Sequence, residues 1–169
     1  MIKLYHGSVQ PVEHPRIIKT EYGRDFGFGF YSTDIFAQAK RWAVRRAKIM
    51  SRGGRDAHAI VSEYEFDEAC YGSLSVRHFP NPDMEWLEMV CACRSDISYS
   101  HGYDIVTGKI ANDNVGETVS YVVQGIMRKE DAIERLKFEK INNQICFCTE
   151  HALAYLRFVG FSEVARDGA

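Results

Sequence analysis

The run Asp25-Phe26-Gly27-Phe28-Gly29-Phe30-Tyr31-Ser32-Thr33 constrains the fold more than any other part of the chain. Glycine alternates with aromatic residues, and the run then turns polar. Glycines in such a segment permit a bulge or the close approach of another backbone. Gly27-x-Gly29 lacks the third glycine of a G-x-G-x-x-G loop, and nowhere does that pattern follow a strand with an acidic residue about 20 positions on. A doubly wound dinucleotide-binding sheet is therefore not the reading.

Around this run, short strands and helices alternate. Ile2–His6 reads as a strand ended by Gly7-Ser8, and Pro11 and Pro15 keep the next stretch extended. Thr33 or Asp34 is placed to cap a helix reaching about Met50, with Ala37, Ala39, Trp42, Ala43 and Ala47 on its packed faces. Ser51-Arg52-Gly53-Gly54 ends it. Strands are expected over Ala57–Phe66 and Leu74–Phe79. Asn81-Pro82-Asp83 introduces a helix from about Met84 to Arg94, with Trp86, Leu87, Val90 and Cys91 as its apolar stripe. Tyr103–Gly108 reads as a strand and Ala111-Asn112-Asp113-Asn114 as a polar turn. Helices are expected over Glu117–Arg128 and Lys129–Glu139, a turn at Asn142-Asn143, a strand over Gln144–Cys148, and a last helix over Glu150–Val159. With no repeats, low-complexity tracts or linkers, residues 1–169 read as one α+β domain.

Net charge is −2, so no global field draws the chain toward nucleic acid or an acidic membrane. A local basic patch exists: Lys40, Arg41, Arg45, Arg46, Lys48, Arg52 and Arg55 fall within one segment. Its plain reading is the solvated face of an amphipathic helix, with nucleic acid left open. No apolar run approaches the ~18 residues needed to span a bilayer, and the first residues lack the apolar stretch of a secretory signal. Five cysteines, an odd number, do not form the spacing of a secreted disulfide framework, so a cytoplasmic protein is expected. Cys91/Cys93 fall in a helical pattern, where i and i+2 do not share a face. Cys146/Cys148 fall in a strand, where both thiols point to one side. Both pairs read as small buried hydrophobes, and no metal is expected. A metal-dependent hydrolase is disfavoured because the six histidines are scattered.

Three places carry candidate chemistry: Leu4-Tyr5-His6-Gly7-Ser8 at the end of a strand, Gly27-Phe28-Gly29-Phe30-Tyr31-Ser32-Thr33, and the late strand beginning at Gln144. At these residues the chain resembles the ADP-ribosyltransferase fold, in its diphtheria-toxin and poly-ADP-ribose-polymerase-like branch, which carries a His-Tyr-Glu triad on three separated strands. More narrowly, six stretches in order resemble the bacterial family DUF3990 over about Met1 to Val159. They are Tyr-His-Gly-Ser, Asp-Phe-Gly-x-Gly-Phe-Tyr-Ser-Thr, Gln-Ala-x-x-Trp-Ala, Glu-Trp-Leu, Asp-Ile-Val-x-Gly-x-Ile-Ala-Asn-Asp and Gln-Ile-Cys-Phe.

That resemblance implies a split β-sandwich of two small, roughly perpendicular antiparallel sheets with surrounding helices and NAD in the cleft. It implies that His6 hydrogen-bonds the adenosine ribose, that Gly7 offers its backbone to the nicotinamide amide, and that Tyr31 stacks on the nicotinamide ring. It also implies that Ser8, Gly27 and Gly29 help to shape the cofactor site. Breaking the nicotinamide–ribose bond releases a neutral group through an oxocarbenium-like state, so positioning and charge stabilisation dominate.

Gln144 stands where an active polymerase-type enzyme has Glu. A carboxamide both donates and accepts, but it carries no negative charge and cannot act as a general base. Chain elongation is thereby disfavoured, while mono-transfer to an already nucleophilic acceptor survives. Glu150 offers a carboxylate nearby, although its plain role is to cap the last helix. Asp104, Asn112 and Asp113 form a second polar cluster that reads as caps and turns, with the acceptor site as the alternative. Asp25, beside the glycine run, is ambiguous.

The leading expectation is an NAD-dependent mono-ADP-ribosyltransferase, the toxin of a bacterial toxin–antitoxin pair by analogy of fold. Its acceptor is left open among protein, nucleic acid and small molecule, and an antitoxin protein is the expected partner. The competing expectation is a catalytically degenerate module of the same fold that binds NAD, ADP-ribose or another protein.

Overall fold

A computed structural model describes residues 1–54, 56–110, 113–137 and 142–165. Among these residues, seven strands form two sheets. β1 (Ile2–Ser8), β3 (Ile60–Phe66) and β7 (Leu156–Glu163) make a three-stranded antiparallel sheet in the order β1-β3-β7. β2 (Phe30–Ser32), β4 (Val76–Phe79), β5 (Ile105–Ile110) and β6 (Asn142–Phe147) make a four-stranded sheet in the order β2-β6-β5-β4. The expectation of purely antiparallel sheets fails at one pair, because β4 and β5 run parallel. The reason lies in the connection. Parallel neighbours need a crossover, and the helix α2 (Met84–Ser95) supplies it.

Aromatic residues fill the space between the sheets. Phe30 packs edge-on to Tyr64 with ring centroids 5.5 Å apart, and Phe147 meets Phe66 at 5.2 Å. Leu4, Ile105 and Ile145 join this cluster. On the far side of the larger sheet, Phe26, Tyr31, Val106 and Cys146 pack with Trp86, Leu87 and Val90 of α2, and with α3 (Asp113–Val123) and α4 (Lys129–Leu136). The helix α1 (Phe36–Arg52) covers β1 and β3 with a face of small residues, Ala39, Ala43 and Ala47.

Several boundaries differ from the sequence reading, each for a local reason. Neither Thr33 nor Asp34 caps α1, which starts at Phe36 with Ile35 in the cap position. Thr33 is held in a bridge to Tyr5 instead, so the helix begins later. Ala37 is exposed, and Gln38 and Val44 take its expected place inside. In α2 the buried stripe ends on Cys93, one turn beyond Val90, and Cys91 is only half-buried. Asp83 caps that helix by accepting from the Trp86 N–H at 2.9 Å. α3 begins at Asp113, earlier than expected, and Gly125 closes its end at φ +72°. Ala111, Asn112 and the end of the expected helix at Glu139 lie outside the described residues, as does Arg55. A short 3-10 helix over Glu68–Ser73 was not anticipated.

The largest correction is at the end of the chain. The expected helix over Glu150–Val159 is one short turn, α5 (Glu150–Leu153), followed by β7. Thr149 rather than Glu150 caps that turn, its Oγ1 accepting from the Ala152 N–H at 3.2 Å. Arg157-Phe158-Val159-Gly160 then follows a two-residue period, with Phe158 packed on Tyr64.

Candidate functional site

The two sheets meet where Tyr5 and Thr33 exchange backbone hydrogen bonds of 2.8 and 3.0 Å. This bridge sets His6 on β1 beside Tyr31 on β2. The His6 Nδ1 donates to the Tyr31 carbonyl oxygen at 2.7 Å. A carbonyl only accepts, so in the neutral ring the proton is on Nδ1, and Nε2 is left as an acceptor. Burial pushes the His6 imidazole down to about 4. The Arg46 and Arg24 charges act in the same direction, and the bond to Tyr31 opposes them.

The imidazole is therefore neutral at physiological pH, with a consequence for stability. Between pH 6.5 and 4 the unfolded chain binds a proton that folded His6 refuses. Its contribution is complete above about pH 6.5 and is lost as pH falls toward 4, by about 2–3 kcal/mol. Urea midpoints measured across that range should drop for the wild type. They should drop less steeply for His6→Asn, and parallel profiles would refute this assignment.

Tyr31 is nearly inaccessible at 7% exposure. Its hydroxyl donates to the Gly27 carbonyl at 2.6 Å and accepts from the Phe26 N–H at 3.1 Å. Gly27 makes this return possible, since its φ of +72° lies in the left-handed region. The Arg24 guanidinium lies over the Tyr31 ring, 5.1 Å from its centroid. On the neighbouring strand, Tyr31 pairs in register with Cys146. Two residues before Cys146 comes Gln144, 8% exposed. Among the described residues its carboxamide makes no hydrogen bond. Its strand is anchored to α1, because Gln38 Nε2 donates to the Asn143 carbonyl at 2.9 Å.

His6, Gly7, Tyr31 and Gln144 line one cavity of about 380 Å³. Its size falls within the range of small-ligand sites. Four arginines, Arg24, Arg45, Arg46 and Arg94, share its walls with Trp42 and Asp25. Asp25 holds Arg94, accepting from its Nε at 2.7 Å and lying 2.5 Å from an Nη. The remaining charge makes the cavity cationic. It suits an anion with aromatic or sugar parts, and Gln144 presents a donor and an acceptor to such a ligand.

Ser8, Gly27 and Gly29 are not among the residues lining this cavity. Ser8 Oγ donates to the Gln10 carbonyl. A side chain at Gly29 would run into the Cys146 sulfur and come within 2.6 Å of the Phe147 carbonyl oxygen, so that glycine lets the run lie against β6. Gly7 does line the cavity, but its bareness also has a packing cause, since a Cβ there would sit 2.8 Å from the Ala43 backbone nitrogen of α1.

The arginines were the residues that sequence reasoning did not place. One signal was available: Trp42, Arg45 and Arg46 are spaced i, i+3, i+4 and share a helix face. Arg24 and Arg94 arrive through the fold of the 23–25 loop against α2, which no local pattern reveals.

The other candidates have structural duties. Asp104 accepts from the Ser75 N–H at 2.9 Å and the Thr149 hydroxyl at 2.6 Å, which together hold its carboxyl below the usual range. It thus ties β4, β5 and α5 together. Glu150 is exposed in the first turn of α5. Cys146 and Cys148 do face one side, with sulfurs 3.5 Å apart. Burial pushes the Cys146 thiol well up, while the hydrogen bond shared with Cys146 and the neighbouring His101 bring Cys148 down to about 6. Among the described residues, no helix is long and apolar enough to cross a membrane.

No curated protein matches the chain. The family described as "Protein of unknown function (DUF3990)" matches residues 2–158, nearly the whole length, and the chain belongs to that family.

Proposed function

We propose that the cationic cavity binds NAD and that the protein is an NAD-dependent mono-ADP-ribosyltransferase on an ADP-ribosyltransferase fold. The observation that carries this reading is the convergence of His6, Tyr31 and Gln144, from three strands far apart in sequence, on one cavity walled by arginines. His6 Nε2, left as an acceptor, receives a ribose hydroxyl of the adenosine half. Arg46 and Arg24 provide charge for the pyrophosphate. The unpartnered carboxamide of Gln144 takes the nicotinamide-ribose 2′-hydroxyl.

In this reading, the place of Arg24 over Tyr31 has a meaning. A guanidinium and a nicotinamide ring are both planar cations, and both are attracted to an aromatic face. Nicotinamide entry exchanges one for the other and sends Arg24 toward the phosphates. Cleavage of the glycosidic bond then returns an electron pair to the pyridinium nitrogen, and the leaving group departs neutral.

Titrating NAD into the protein by calorimetry, with nicotinamide release followed on the same samples, tests this. The wild type is expected to bind, and His6→Ala and Tyr31→Ala to bind about tenfold more weakly or worse. An absence of heat at millimolar NAD would exclude the reading. Binding without nicotinamide release would favour a second reading, a non-catalytic NAD or ADP-ribose module, for which the missing carboxylate at Gln144 speaks.

A further inference from the structure

Cys146 and Cys148 share one side of the chain at the end of β6, as residues two apart on a strand do. Their sulfurs lie 3.5 Å apart, within reach of a hydrogen bond. Cys146 is buried, whereas Cys148 is partly open to solvent. His101 joins them from the loop before β5. Its Nδ1 accepts from the Tyr103 N–H at 3.1 Å, so the ring proton sits on Nε2. That Nε2 donates to the Phe26 carbonyl at 3.2 Å, and the same carbonyl lies 4.0 Å from Cys148 Sγ. A third thiol borders the group, since a Cβ built on Gly27 would lie 3.8 Å from Cys93 Sγ and 3.9 Å from His101 Nε2. None of these four side chains lines the cationic cavity. Among the described residues, no three such groups are placed to hold one metal ion.

Buried thiols are inert, and a thiol becomes a nucleophile where donors surround it and solvent reaches it. Burial raises Cys70, Cys91, Cys93 and Cys146, whereas the hydrogen bonds with Cys146 and His101 lower Cys148. We infer that Cys148 is a peroxide-reactive thiolate that closes a disulfide with Cys146, and that this bond governs the cavity through Tyr31. The second half rests on the proposed NAD reading.

The steps balance with peroxide as the oxidant. The Cys148 sulfur attacks one peroxide oxygen; an S–O bond forms, the O–O bond breaks and hydroxide leaves. Cys148 is then a sulfenic acid. The Cys146 sulfur attacks it, so the S–S bond forms and the S–O bond breaks. The departing hydroxide takes the Cys146 proton and leaves as water.

Two residues of strand place the Cα atoms about 6.6 Å apart, near the upper limit that a disulfide tolerates. The bond therefore pulls on the backbone and is readily reduced by thiols, as a reversible switch requires. Cys146 is the register partner of Tyr31. The Tyr31 hydroxyl accepts from the Phe26 N–H, and the Phe26 carbonyl holds His101. A pull at Cys146 thus reaches the wall that Tyr31 gives the cavity.

The test treats wild-type protein with stoichiometric hydrogen peroxide, then denatures, alkylates and digests it with trypsin. The peptide carrying both cysteines should be unalkylated, lighter by two hydrogens and restored by dithiothreitol. Cys146→Ser should stop at a sulfenic acid that dimedone traps, and Cys148→Ser should not react under the same conditions. His101→Phe should slow the reaction about tenfold, and Cys93→Ser should leave it unchanged. A bridge from Cys148 to Cys93, or sulfinic acid on Cys148 without any disulfide, overturns the pairing. Equal oxidation of every cysteine overturns Cys148 as the reactive thiol. The wild-type masses decide both points even where a variant does not fold.

By calorimetry, oxidised protein should bind NAD about tenfold more weakly than reduced protein, with affinity recovered by dithiothreitol. Equal affinities overturn the control of the cavity. Reduced protein that binds no NAD removes that control together with the proposed activity, while the masses still judge the disulfide.

Discussion

Gly7→Ala is expected to lose about 3 kcal/mol of unfolding free energy, at the upper end of what overpacking costs. The added methyl would lie 2.8 Å from the Ala43 nitrogen and 3.0 Å from the Ala39 carbonyl carbon. Both are backbone atoms of a helix whose inner face is fully buried at Ala39, Ala43 and Ala47. No rotamer change relieves the clash, so either α1 or β1 must move. β1 is fixed by seven register pairs with β3, from Ile2↔Phe66 to Ser8↔Ile60, and the helix yields first. Since α1 contributes Trp42, Arg45 and Arg46 to the cavity, the proposed NAD binding should fall with stability. Gly72→Ala, with nothing within 4 Å of the new methyl, is the control and should change little. Equal urea midpoints for the two variants would refute the packing account.

Asp25→Ala should have the second-largest effect, about 2 kcal/mol. The Asp25 side chain is 11% exposed and that of its partner Arg94 28%. Removing the acid leaves a guanidinium without its carboxylate beside three other arginines in the same cavity. Breaking a fully buried pair from one side costs about 3–5 kcal/mol, and the partial exposure of Arg94 reduces that figure. The double variant Asp25→Leu/Arg94→Met should recover most of the loss, because nothing charged is then stranded. A denaturation cycle over the four proteins measures the coupling, and strictly additive losses would show that the pair does not act as one.

Much of the fold was legible where the signal is local. Asp83 before Met84-Glu85-Trp86 announces α2, and alternation marks β1 and β3. The region after Glu150 misleads because Ala152, Leu153 and Leu156 are spaced as on a helix, while Arg157–Phe161 alternates in burial without a matching polar–apolar alternation in the sequence. What decides between them is β3, which lies more than 90 residues earlier and offers its free edge. The parallel β4–β5 pair was hidden for the same reason, since strand order is a property of distant segments. Within the site, His6, Tyr31 and Gln144 could be named through resemblance at three short stretches. The arginines could not, because they come from a loop, α1 and α2 and have no common pattern.

The order of strands also sets when this molecule can first exist. Among the described residues β2 pairs with β6 alone, Tyr31 meeting Cys146, and β3 must wait for β7 to complete its sheet. A chain emerging from the ribosome therefore carries His6 and Tyr31 for more than a hundred residues of synthesis before the strand bearing Gln144 arrives. Contacts so distant in sequence slow folding and leave apolar strand edges open meanwhile. A nascent or truncated chain lacking residues beyond Lys137 would have no wall at Gln144 and no strand for Tyr31 to pair with. The cavity is thus assembled late and all at once, and no ligand can be held there until the strand bearing Gln144 has been made.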